Sequence, residues 1–198
     1  MEAYDLNVHL LIWINQHWSN PVFDVFFTWL SMKAGFSIPL LTGITVYCTW
    51  RYGKRGLWFS LLVILLTLFT DFVGNQLKHL FLMPRPCLEF GHILHVPFRG
   101  DFSCETSTDG MPSNHAMNFF SVMTFISLFF PRRWIVISCY TIATLVGLSR
   151  IYLAAHFPLE VLAGAIFGII LGWLFAMFIR KIWPDLKFNE NTSLRAIR

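Results

Sequence analysis

Residues 56 to 77 read GLWFSLLVILLTLFTDFVGNQL, and this run decides the fold class. Wound as a helix, it is long enough to cross a hydrocarbon core of about 30 Å. Its apolar residues continue around every side, whereas a helix on a soluble domain would carry them as one stripe. The whole chain agrees. It is 56% hydrophobic and 17% aromatic, with 13% charged residues, against roughly 25% in a soluble domain. A polytopic membrane protein follows.

Working outward, apolar segments cover roughly 36–50, 57–77, 116–130, 134–150 and 157–180. The expectation is an all-α transmembrane helical bundle of five or six spans. Segments 116–130 and 134–150 are short for a crossing, so their helices should extend into the flanking residues. Gly164, Gly168 and Gly172 recur at every fourth position of the last segment, the pattern of close helix packing. No repeat or linker divides residues 1–198, which read as a single membrane-embedded domain.

The net charge of +4 is distributed as topology. Arg51, Lys54, Arg55, Arg132 and Arg133 lie in short turns, and Arg180, Lys181, Lys187, Arg195 and Arg198 in the tail 181–198 or just before it. With those regions cytoplasmic, ten of the fifteen Lys and Arg lie inside, as the positive-inside rule requires. Trp50, Trp58, Trp134 and Trp183 then mark the inner boundary. This pattern gives no reason to invoke nucleic acid. The outer face keeps Lys33, Lys78, Arg85, Arg99 and Arg150, which run against the bias.

Two regions stand outside the clear spans. Residues 1–34 mix Asp5, Asn7, His9, Asn15, Gln16, His17, Asn20 and Asp24 with large apolar residues, a composition suited to helices in the membrane interface. The start, MEAYDLN, is acidic where a signal peptide would be basic. Five crossings would leave the N-terminus outside, and a sixth within 8–34 would bring it inside. The loop 84–112 is expected on the outer face. Its Cys87 and Cys104 can form a disulfide in an oxidising compartment or remain free thiols. Its His92 and His95 lack the further ligands a metal site needs and read as ordinary loop residues.

Three fragments carry chemistry: Lys78 to Pro86 (KHLFLMPRP), Pro112 to His115 (PSNH), and Ser149 to Glu160 (SRIYLAAHFPLE). Each lies at the end of an apolar run, and all three fall on the outer side. Singly they read as an anchor and a turn, a helix N-cap and a snorkelling arginine. Together they place cations, a hydroxyl and imidazoles at one interface, which points to a phosphorylated lipid as substrate. Lys78 offers a point charge; Arg85 and Arg150 can each grip two oxygens. Ser113 and the N–H groups of 113–115, Asn114 included, form an anion site at a helix N-terminus. Asp71 and Asn75, inside a span seven and three residues before Lys78, can orient Lys78 or bond a neighbouring helix.

The set resembles the three-part signature of the type 2 phosphatidic acid phosphatase superfamily: Lys-x6-Arg-Pro, Pro-Ser-Gly-His, and Ser-Arg-x5-His-x3-Asp. Here it stands as Lys78/Arg85-Pro86, Pro112-Ser113-Asn114-His115, and Ser149-Arg150/His156/Glu160. The resemblance implies a phosphatase without metal or other cofactor, in which His156 attacks phosphorus and His115 protonates the departing oxygen. Glu160, four residues on and expected on the same helix face, would fix the His156 tautomer. Two positions depart from the signature. Asn114 replaces Gly, where tolerance of left-handed geometry would preserve a phosphate-facing N–H, and Glu160 replaces Asp. The expected setting is a bacterial inner membrane with the site facing the periplasm or exterior, and no protein partner is predicted. Undecaprenyl diphosphate heads the expected substrates, with phosphatidylglycerophosphate and the 1-phosphate of lipid A behind it. A non-enzymatic anionic-lipid binder or transporter would use the cations but not the histidines.

Overall fold

The structure is a computed structural model that describes residues 2–97 and 110–188. The described residues are helical with connecting turns: α1 Glu2–His17, α2 Pro21–Ser31, a π-helical turn Lys33–Ser37 leading into α3 Ile38–Tyr52, α4 Lys54–Phe81, short α5 Pro86–Phe90, α6 Asn114–Phe129, α7 Arg133–Tyr152 and α8 Pro158–Ile182. The five apolar segments correspond to α3, α4, α6, α7 and α8. Local chemistry sets several boundaries. Asn20 caps α2, its Oδ1 accepting from Val22 N at 3.0 Å and Phe23 N at 2.9 Å, with Pro21 in the first helical position. Leu82 closes α4 in the left-handed conformation at φ 45°.

Helix α6 runs through the centre, with Ala116, Met117, Ser121 to Ser127 and Phe129 buried. The α8 glycines make that possible. A Cβ at Gly164, Gly168 or Gly172 would lie 2.6, 2.4 or 2.3 Å from the backbone oxygens of Ser113, Met117 and Ser121, so the two helices meet backbone to backbone. Away from the motifs, Phe59 of α4 stacks on Phe125 at 5.3 Å. The helices α4, α7 and α8 are long and apolar enough to span a membrane, and α2 with the helix Lys33–Tyr52 forms a further pair bent by 76°. At 16 residues, α6 is about 24 Å long, short of a full crossing.

Helix α1 lies across the motif end of the bundle, and its polar residues are clamps. Asn15, 0% exposed, donates to the carbonyls of His95 and Tyr152, both at 2.7 Å, and accepts from His95 N at 2.7 Å. Asn7 accepts from Leu159 N at 3.0 Å. His95 Nε2 meets Asp24 at 3.1 Å, and Tyr152 also donates its hydroxyl to Asp24. Cys48 and Cys139 are buried free thiols. Cys87 is disulfide-bonded, while Cys104 lies outside the described residues.

Candidate active site

Backbone hydrogen bonds stitch the three fragments together. Gly110 N donates to Met83 O at 2.8 Å, joining the second fragment to the first. Ser113 N donates to Glu160 O at 3.1 Å, joining the second to the third. Residues 78 to 160 thus converge on one cavity of about 620 Å³, lined by Lys78, Arg85, Asn114, His115, Arg150 and His156 among others.

Each side chain is aimed by the end of a helix. Lys78 sits in the last turn of α4 and is buried. Arg85 occupies the extended position just before α5. Arg150, in the last turn of α7, is 3% exposed and donates through Nη1 to Ser31 Oγ. The neighbouring Ser149 hydroxyl donates to Val146 O at 2.7 Å, so its role is local to α7. Ser113 caps α6 without a side-chain capping bond; its Oγ and His115 Nε2 are buried with no partner among the described residues. Both residues sit at a helix N-terminus whose first N–H groups have no intrahelical acceptor.

The turn after α7 delivers His156. Ala154 adopts φ 56°, and the Arg150 carbonyl accepts from both Ala155 N at 3.0 Å and His156 N at 3.2 Å. That loop explains the five residues between Arg150 and His156: they reverse the chain so that both side chains enter one cavity. His156 Nδ1 bonds Glu160 Oε2 at 2.9 Å, and the same oxygen accepts from Phe157 N at 3.0 Å. With Nδ1 protonated toward the carboxylate, Nε2 keeps its lone pair. Burial first, then the Arg150, Arg85 and Lys78 cations, hold this imidazole well below the ordinary histidine range. That direction favours the neutral imidazole.

Three expectations need correction. His156 and Glu160 do not share a helix face. Helix α8 begins at Pro158, His156 precedes it, and Glu160 reaches back from the first turn in the manner of a capping residue. Asn114 needs no left-handed backbone. It is the first residue of α6, and among the described residues the left-handed non-glycines are Leu82 and Ala154. Nor does the Ser113 N–H face a ligand, because Glu160 O takes it; the N–H groups that follow in α6 remain. Asn114 Nδ2 turns toward α4, donating to Asp71 Oδ1 at 3.1 Å and Asn75 Oδ1 at 2.7 Å. Of the two roles open to Asp71 and Asn75, bonding between helices is the one the geometry draws.

Other residues enter unannounced. Lys33 lines the cavity from the bend between α2 and α3, and Ser31 holds Arg150. Lys33 had a signal, since it too ran against the positive-inside bias. Gly110 has a steric role: a Cβ there would lie 2.3 Å from Glu160 Oε1 and 2.9 Å from Met83 O.

The chain as a whole resembles known proteins. The family model for the PAP2 superfamily matches residues 56–184. The chain is 28% identical to the lipid A 4'-phosphatase of Bacteroides thetaiotaomicron, over 92% of this chain and 81% of that one. It is 34% identical to glucose-6-phosphatase 3 of Bos taurus over 75% of its length, but spans 45% of that protein. Among solved structures, a PAP2-type phosphatidylglycerolphosphate phosphatase from Bacillus subtilis superposes with a TM-score of 0.71 at 25% identity, covering 93% of this chain and 90% of that one. Aquifex aeolicus LpxE superposes at 0.67 with 27% identity, covering 87% and 95%. From the three fragments, the cavity they share and these matches, the chain belongs to the PAP2 superfamily.

Proposed function

We propose that this membrane protein hydrolyses a terminal phosphate from a lipid through a phosphohistidine, without a metal ion. The observation that carries the reading is the convergence of His115 and His156 on one cavity with Lys78, Arg85 and Arg150. The cations and the α6 N-terminus bind the phosphate oxygens and stabilise the charge that redistributes as the bond to the leaving oxygen breaks. His156 Nε2 forms the new bond to phosphorus, and Glu160 stabilises the imidazole as it gains charge. His115 gives a proton to the departing oxygen, then takes one from water. That water cleaves the P–N bond, releasing phosphate and restoring His156. An anionic-lipid binder would need the cations but has no work for the His156–Glu160 pair at 2.9 Å.

The proposed setting is a bacterial inner membrane, with α3, α4, α6, α7 and α8 as five crossings, the short α6 being completed by the residues flanking its two ends, α1 and α2 in the outer interface, and the cavity opening outward. The positive-inside charge distribution supports that orientation, and a Cys87–Cys104 bridge would tether the outer loop. Undecaprenyl diphosphate, phosphatidylglycerophosphate and a phosphate of lipid A all suit the chemistry. Proteins named for the last two are similar to this chain over most of its length. The test is phosphate release by purified protein in detergent with chelator present, against these three lipids. Release by the wild type that is lost in His156→Ala supports the reading; tight lipid binding without release overturns it.

A further inference from the structure

The cavity is graded along the bundle. At the motif end are the cations, and deeper along the helices lie Leu41, Leu68, Val122 and Met123. Between the two stands a polar wall built from α4 and α6. Asp71 Oδ1 accepts from Asn114 Nδ2 at 3.1 Å and from Asn118 Nδ2 at 3.2 Å, while Asn75 Oδ1 takes the other Asn114 bond at 2.7 Å. All four residues line the cavity.

Position gives this wall its meaning. Asp71 lies seven residues before Lys78, about 10 Å deeper along α4, and Asn118 lies about 6 Å beyond Asn114 along α6. A carboxyl group at such depth is costly unless it has work to do. Two amides fix Asp71 through one oxygen, and Oδ2 has no partner among the described residues. A negative group here repels phosphate, which the cations hold at the motif end. What it attracts is a hydrogen-bond donor just beneath the phosphate.

We infer that Asp71, braced by Asn114 and Asn118, is a specificity site that accepts a hydrogen bond from a hydroxyl or amide N–H joining the substrate's phosphate to its lipid chain. This rests on the phosphatase reading and narrows it. A sugar- or glycerol-borne phosphate offers such a donor. A prenyl diphosphate does not, because hydrocarbon begins directly at its phosphate ester.

The test uses two synthetic lipids differing at one atom: N-palmitoyl ethanolamine phosphate, whose amide N–H lies two carbons from the phosphate ester oxygen, and the corresponding O-palmitoyl ester. The ester turns an acceptor toward Asp71. The wild type should favour the amide by about tenfold in kcat/KM, the penalty for facing a partly buried acceptor with no donor. Asp71→Asn keeps the shape. Its Oδ1 must still receive the two asparagine donors, so its amide nitrogen replaces Oδ2 and meets the substrate N–H donor to donor. The ratio should then fall to one or below. A wild-type ratio near one, or an unchanged ratio in Asp71→Asn, overturns the inference, and the wild-type ratio decides even if the variant does not fold. If neither lipid releases phosphate, the three natural lipids named above test the phosphatase reading separately. Competition binding of the two lipids then decides this one: tighter binding of the amide supports it and equal binding overturns it.

Discussion

Replacing Glu160 with Gln isolates what the carboxylate does for His156. One oxygen, Oε2, accepts from both His156 Nδ1 at 2.9 Å and Phe157 N at 3.0 Å, and the residue is 2% exposed. A neutral amide oxygen can accept the same two bonds but forfeits their charge assistance, about 1 kcal/mol each. The Phe157 share acts on the fold and should appear as a lower unfolding midpoint. The His156 share acts on the rate, and it grows during reaction. Attack on phosphorus leaves the imidazole positively charged, and loss of the facing anion adds about 2 kcal/mol. Only that increment raises the barrier from the bound state, about 2 kcal/mol or roughly thirtyfold in kcat. Single-turnover phosphate release in detergent measures this directly, with KM changing little because phosphate is held by other groups. Glu160→Asp, which restores the family's usual residue, should also be slow. The shorter arm withdraws the carboxylate by roughly 1.5 Å, about one carbon–carbon bond, from a turn built for the longer one. A Glu160→Gln enzyme within threefold of wild type would refute this account of the pair.

Gly110→Ala places a methyl 2.3 Å from Glu160 Oε1 and 2.9 Å from a carbonyl; kcat should fall at least tenfold with a stability loss of about 1–3 kcal/mol, read by phosphate release and thermal unfolding. Because burial and the three cations depress the His156 pKa, protonated and inactive imidazole should accumulate only well below the ordinary value of about 6.5. The acid limb of kcat/KM should therefore lie below that point, and a limb centred at or above it contradicts the assignment. The same sign holds for folding: the contribution from His156 is complete above about 6.5 and is lost as pH falls toward its folded value. Lys33→Ala should lower kcat/KM only about fivefold, since this exposed cation is screened, and the deficit should shrink as salt is added.

What the sequence made legible follows from its physics. Lipid demands continuous apolar helices, so the runs that became α3, α4, α6, α7 and α8 stood out plainly. The glycines at 164, 168 and 172 announced a backbone-to-backbone contact, and α8 makes it against α6. The three fragments were readable because each combines uncommon residues at fixed spacing. Other features depend on chain reversals or distant partners. The left-handed turn at Ala154, which keeps His156 outside α8, has no glycine to signal it. Asn15 looked like an interfacial polar residue, yet it bonds a carbonyl 137 positions away. Lys33 reaches the cavity through a 76° bend that no local pattern around Met32 announces. Asp71 and Asn75 were visible as costly residues in a span, but their partners on α6 required the packed helices.

The most direct measurement is the covalent intermediate itself. Protein quenched during turnover in alkali, where a phosphorus–nitrogen bond survives, should carry one phosphoryl group on His156 by peptide mass spectrometry, and His156→Ala should carry none. Phosphate release in full from His156→Ala, or a phosphoryl group found on another residue, would contradict the account.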